Sequence, residues 1–140
     1  MDTIGRGIVA GFIAMLAVSL LLDPLVLITG TRWTQESGLG LRLHFFFGPV
    51  VWGAAFAFFH DHVRGPSWLR GVVFAAALWI MVNAVLAATG RLVLGPGAIL
   101  AAGLAAHALY GAVLGAIYGS LGGQETAPAH RDRPARPLAP

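Results

Sequence analysis

Residues 98–121, AILAAGLAAHALYGAVLGAIYGSL, form an unbroken apolar run in which His107 is the only large polar residue. About 20 such residues are needed to carry a helix across a bilayer. Gly111, Gly115 and Gly119 recur at every fourth position, and the same row runs back through His107 to Gly103. In lipid, apolar side chains gain nothing by leaving the tails. Association comes instead from close van der Waals contact, which glycine permits by letting backbones approach. The run therefore reads as a membrane-spanning helix that turns its glycine row, and His107 with it, toward another helix.

Three more stretches of similar character precede it, at about 5–28, 40–59 and 69–89. The links between them are short and carry breakers, Gly65-Pro66 in the second and Gly95-Pro96 in the third. Short links make consecutive helices antiparallel neighbours. The expected fold is an all-α membrane protein, an antiparallel bundle of four transmembrane helices filling residues 1–123. The first stretch is too long for the apolar core of a signal peptide and lacks its small-residue cleavage site, so it reads as a retained helix. From residue 124 onward the chain is rich in Pro and Arg and poor in large apolar residues. Such a composition cannot build a core, and 124–140 is expected to be an extended cytoplasmic tail.

The bulk composition agrees. The chain is 57% hydrophobic and 11% charged, against about 25% charged in a soluble domain. It has no Cys, which excludes disulfides, thiolate metal sites and cysteine nucleophiles. The formal charge of +3 comes from Arg placed in loops and tail. In a membrane protein this is a topology signal, and nucleic acid is not an expected partner. With four spans, Arg6, Arg64, Arg70, Arg131, Arg133 and Arg136 fall on one side and Arg32, Arg42 and Arg91 on the other. The positive-inside rule then predicts a multi-pass protein of the bacterial inner membrane with both termini in the cytoplasm.

Weaker rows of the same kind mark the other helices: Gly7, Gly11, Met15, Ser19 and Asp23 in the first, His44, Gly48 and Trp52 in the second, Gly71, Ala75, Trp79, Asn83 and Ala87 in the third. Each polar residue thus shares a face with small ones. Gly7, Gly11, Gly48, Asn83, Gly103, His107, Gly111, Gly115 and Gly119 are the expected helix-packing residues. Pro24 and Pro49 cannot donate to the carbonyls of Leu20 and Phe45, and freed carbonyls in lipid need partners. Ser19 lies close to the first and His44 next to the second.

A polar side chain inside a membrane span is a functional hypothesis by default. Two imidazoles from different helices, His44 and His107, could ligate a haem or a metal. Their depths, however, differ by about four residues, roughly one turn of helix. Hydrogen bonding between helices is the leading expectation for both, and for Asn83, with cofactor ligation second. Asp23 is placed near the outer interface. His60-Asp61-His62 reads as a solvated helix end, with metal binding or proton collection as the alternative. The aromatic residues of the second helix, Phe45, Phe46, Phe47, Trp52, Phe56, Phe58 and Phe59, read as lipid-facing bulk, though they could also receive a quinone or pigment. No nucleotide-binding glycine loop, nucleophile elbow, metalloprotease helix or mid-membrane carboxylate pair is present, so no catalytic residues are expected.

The chain resembles a bacterial family of small four-helix membrane proteins of unknown function. His44-Phe45 with Gly48 and Gly53-Ala-Ala-Phe56-Ala57 carries part of the likeness, continued by Gly71-Val-Val-Phe74 with Trp79. Its strongest piece is the segment from His107 to Gly119 with Tyr110 and Tyr118. The resemblance covers roughly residues 4–121 and implies fold and membrane location.

Three functions follow as expectations. The first is a non-enzymatic accessory or structural subunit of a larger membrane complex of respiratory or photosynthetic type, with lipids and other membrane proteins as partners. The second is a haem-, metal- or pigment-binding module using His44 and His107. The third is a small transporter or channel that must oligomerise, which the lack of charged mid-membrane residues disfavours.

Overall fold

The computed structural model describes the backbone of residues 2–29, 38–90 and 97–123, and the side chains of 2–21, 46–90 and 100–122. Four helices account for nearly all of it: α1 (Thr3–Thr29), α2 (Gly38–Phe59), α3 (Ser67–Ala88) and α4 (Gly97–Gly123). A single 3₁₀ turn, His60–His62, follows α2, and no strand occurs among the described residues. Helix ends fall within two residues of those read from the apolar runs, and Pro49 does not interrupt α2. Three stretches, Thr3–Leu21, Ser67–Ala88 and Leu100–Gly122, are long and apolar enough to cross a membrane. The side chains of His44 and Asp23 lie outside the described residues, as do residues 30–37, 91–96 and the tail from 124.

Glycine decides which helices meet. α1 lies against α2 and α4, and α4 lies against α3, whereas α2 and α3 barely touch. A methyl group on Gly7 would fall on the carbonyl oxygen of Gly53, and one on Gly11 would come within 2.6 Å of the Pro49 carbonyl oxygen. On the other side of the molecule a methyl on Gly71 would strike the Gly111 carbonyl, and one on Gly115 the Ser67 carbonyl. Further along, Gly103 would meet Trp79 Nε1 at 3.0 Å. In both pairs, moving up one helix means moving down its neighbour. Backbone thus rests on backbone at two seams, the contact that substitutes for a hydrophobic driving force in lipid. Gly48 is different. A methyl there would find Met15 Cε at 3.4 Å, an ordinary contact, so its neighbours do not require glycine.

The interior is built from small residues and a few rings. Ala10, Ala14 and Val18 of α1, Phe56 and Ala57 of α2, Ala75 of α3, and Tyr110, Leu114 and Tyr118 of α4 form the core. Large side chains such as Leu16, Leu20, Phe46, Phe58, Ile80 and Val85 face outward. That distribution reverses the pattern of a water-soluble bundle and fits lipid surroundings.

The Tyr110 hydroxyl has no hydrogen-bond partner among the described residues. An unpartnered buried hydroxyl costs about 1–3 kcal/mol, so Tyr110→Phe is expected to hold or raise stability. Unfolding of both proteins in mixed detergent micelles measures it, and a clear loss would mean the hydroxyl has a use that the fold does not reveal.

Candidate functional site

The polar side chains with the most developed contacts gather where α2 ends and α3 begins. Phe59 closes α2, and the 3₁₀ turn carries the chain to Val63, which is extended. Gly65 then adopts φ +118°, a conformation that side chains strain to reach. Pro66 precedes the first residue of α3 with φ −66° and ψ 151°. Its fixed φ suits a position just outside a helix.

Arg70 ties this turn together from one helical turn inside α3. Its Nε donates to the Gly65 carbonyl at 2.7 Å and its Nη1 to the His60 carbonyl at 3.1 Å. Both carbonyls sit past the end of α2, where the backbone has no helical partner to use. The same Nη1 lies 3.6 Å from Asp61 Oδ1. Its 3.3 Å approach to His60 Nδ1 places a guanidinium beside the imidazole.

His60 is the centre of the cluster. Its Nδ1 is 2.8 Å from Asp61 Oδ1 and its Nε2 is 2.9 Å from Ser67 Oγ. The arrangement fits a neutral ring whose Nδ1–H donates to Asp61 while Nε2 accepts from the Ser67 hydroxyl. Its side chain is only 12% exposed, because the ring lies against Tyr118, with centroids 4.7 Å apart, and edge-on to Phe56. Arg6 of α1 lies over the Tyr118 ring, its Cζ 5.2 Å from the centroid. All four helices contribute to this knot.

The expected solvated triplet His60-Asp61-His62 is therefore divided. Asp61 and His62 are exposed, and His62 stacks on Phe58 at 6.1 Å. His60 is turned inward, so its reading as a solvated residue is corrected. The cause is the 3₁₀ turn followed by Gly65, which folds Ser67 back onto the imidazole.

The hydrogen bond from His60 is the largest influence and holds the Asp61 carboxyl below its ordinary range; desolvation opposes it, and the nearby Arg70 charge adds to the lowering. A carboxyl lowered on folding stabilises the fold above its unfolded pKa of about 4 and loses that contribution as pH falls through the lowered value. Asp61→Asn is therefore expected to be less stable than the parent at neutral pH. The difference should shrink below about pH 4, in paired thermal melts across pH; a constant difference would exclude the ionised form as the cause.

Asn83 and His107 are placed otherwise than as bridges. Asn83 Nδ2 donates to the Trp79 carbonyl at 2.8 Å, and His107 Nδ1 lies 2.8 Å from the Gly103 carbonyl. Both bonds run back four residues within the side chain's own helix, so the expected hydrogen bond between helices is corrected to a local one. The two carbonyls they engage belong to Trp79 and Gly103, which meet each other across the α3–α4 seam. Among the described residues no three His, Asp or Glu side chains converge as a metal site would need. The partner residue His44 lies outside them, which leaves the His44–His107 pairing without a geometry.

Sequence reading missed Ser67, Arg70, Tyr118 and Arg6 as members of the cluster. Only Tyr118 carried a signal, since Tyr110, Leu114 and Tyr118 repeat every four residues beside the glycine row. No curated protein and no solved structure matches the chain. A family model does match over residues 1–129, and the chain belongs to that family, the family of unknown function DUF6789.

Proposed function

We propose that the chain is an integral protein of the bacterial inner membrane, a four-span antiparallel bundle with both termini in the cytoplasm. Its role in this reading is that of a non-enzymatic accessory or structural subunit within a larger membrane assembly of respiratory or photosynthetic type. The observation that carries it is the division of labour among side chains. His60, Ser67, Asp61 and Arg70 answer one another and the turn's carbonyls, and Asn83 and His107 answer their own helices. The large apolar residues face outward, where lipid or other helices would lie. The Arg asymmetry of the loops supports the orientation, and the opposed register of the glycine seams supports the topology. Gentle solubilisation of native membranes followed by native electrophoresis tests the reading. It expects migration in an assembly well above monomer or homodimer mass, and free monomer or homodimer alone would overturn it.

A hydrolytic reading has one observation in its favour. Ser67, His60 and Asp61 stand in the order of hydroxyl, imidazole and carboxylate that activates serine nucleophiles. One feature opposes it: Ser67 rests on Gly119 of α4, where a methyl would come within 2.7 Å of its Cβ and Oγ. A fluorophosphonate probe is accordingly expected to leave Ser67 unmodified in the membrane-embedded protein. Labelling of Ser67 that disappears in His60→Ala would establish the hydrolytic reading instead.

A further inference from the structure

We infer that the gap between α2 and α3 is a binding site for one phospholipid whose head carries a phosphate and a primary ammonium. Its alkyl chain lies along Trp52, Phe59, Phe74, Ala77 and Met81, its phosphate at Arg70 and its ammonium at Asp61. The inference rests on the membrane reading given above.

The gap exists because the glycine seams are elsewhere. α2 and α3 are consecutive and joined by a short turn, yet they scarcely meet. Their facing positions carry no glycine, which leaves a cavity of about 340 Å³ lined almost wholly by apolar side chains. From Phe59 to Trp52 it follows α2 for seven residues, about 10 Å at helical rise, a run along which an extended alkyl chain can lie.

The head of the site is set by position and charge. Arg70 precedes Phe74, Ala77, Leu78 and Met81 on one stripe of α3, so it stands at the end of the groove where the chain leaves the membrane span. Its Nε and Nη1 hold the turn, while no bond engages Nη2 among the described residues. A guanidinium edge is matched to phosphate oxygens. Asp61, 3.6 Å from Arg70 and 84% exposed, offers an acceptor of opposite sign. A phosphate–ammonium head answers both charges. A glycerol head brings the exposed carboxylate no further donor cation, and a trimethylammonium head has no N–H to donate to it.

The protein is purified in mild detergent, given equimolar phosphatidylethanolamine, phosphatidylcholine and phosphatidylglycerol with identical chains, and weighed intact by native mass spectrometry. One phosphatidylethanolamine per chain is expected, at least tenfold over the other two. Ala77→Phe, which fills the groove without touching the polar turn, should lower retention of all three at least tenfold. Asp61→Asn should retain lipid but lose the preference among heads, a readout that stands even if Ala77→Phe fails to fold. Equal retention of the three lipids by the parent, no retained lipid, or a dimer that Ala77→Phe abolishes would each overturn the inference. Alkaline carbonate extraction of the source membranes separates the two failures: a protein that stays in the membrane yet holds no lipid refutes this site alone.

Discussion

Replacing Gly71 with leucine is expected to cost about 3 kcal/mol or more of stability, at or above the usual range for overpacking. The measurement is the unfolding midpoint in mixed micelles of mild detergent and dodecyl sulfate. A methyl group on Gly71 already falls on the Gly111 carbonyl oxygen and lies 2.9 Å from the Gly115 nitrogen. These are backbone atoms, which cannot swing aside as a side-chain tip can. α3 and α4 must part, and both sides of the seam lose contact at once. In water, new apolar surface would partly offset this by burial, but in lipid nothing offsets it. Gly111→Leu should cost a similar amount, since its methyl would meet the Gly71 carbonyl and come within 2.7 Å of Ala75 Cβ. The double variant should cost well below the sum, because the first side chain has already opened the seam. Gly48→Ala is the control, expected within about 0.5 kcal/mol of the parent. A Gly71→Leu protein as stable as that control would show that the seam does not hold the fold.

The seam was largely legible beforehand, and the reason is its period. Gly103, Gly111, Gly115 and Gly119 on α4, with Gly71, Ala75 and Trp79 on α3, mark two rows at four-residue spacing, and the structure lays one against the other. Spacing carries a face but not a partner. Nothing in α1 distinguished α2 from α3 as the helix that Gly7 and Gly11 would meet. The short link from α2 to α3 argued for their packing together. The absence of glycine on their facing sides overrides it, and the groove results. Spacing also cannot aim a polar side chain. His107 and Asn83 lie on the predicted rows, but a carbonyl four residues back is always within reach, and each takes it.

The polar knot was legible only in part, for a different reason. His60-Asp61-His62 looks uniform as a string, and the difference between its members is made by the backbone. The 3₁₀ turn and the positive φ of Gly65 put His60 inward and leave its neighbours outside. Ser67, seven positions on, and Tyr118, on another helix, become partners of His60 only after that turn is made. The aromatic residues misled in the same way. Phe56 lies in a run of aromatic residues that reads as lipid-facing bulk, and Phe58 and Phe59 do face outward. Phe56 is instead 1% exposed, because Ala57 and Gly53 beside it let α1 approach closely on that side of α2.

Phe56→Ala is expected to be the most damaging side-chain truncation in the molecule, and it tests whether the knot depends on its aromatic floor. The ring contacts Phe74 at 5.5 Å, Tyr118 at 5.3 Å and His60 at 5.5 Å between centroids. It therefore links α2, α3, α4 and the polar turn through one side chain. In lipid the transfer part of a core truncation largely disappears, since the exposed chain loses nothing by meeting alkyl tails. The cavity part remains. Roughly 100 Å³ of lost side chain at about 24 cal/mol per Å³ gives a cost of about 2.4 kcal/mol. Phe56→Leu keeps most of the volume and should cost about half of that or less. The same pair of variants separates packing from chemistry. If the ring serves only as filling, stability will follow side-chain volume, and the His60 imidazole will keep its bonds to Asp61 and Ser67 in the leucine protein. Those bonds can be followed by the imidazole nitrogen resonances, which report which nitrogen carries the proton. Should Phe56→Leu match the alanine variant and shift those resonances, the edge-on contact between Phe56 and His60 is what holds the ring in place. The inward turn of His60 would then depend on an aromatic partner rather than on bulk, and the knot would be a recognition site among side chains of the same chain rather than a consequence of close packing.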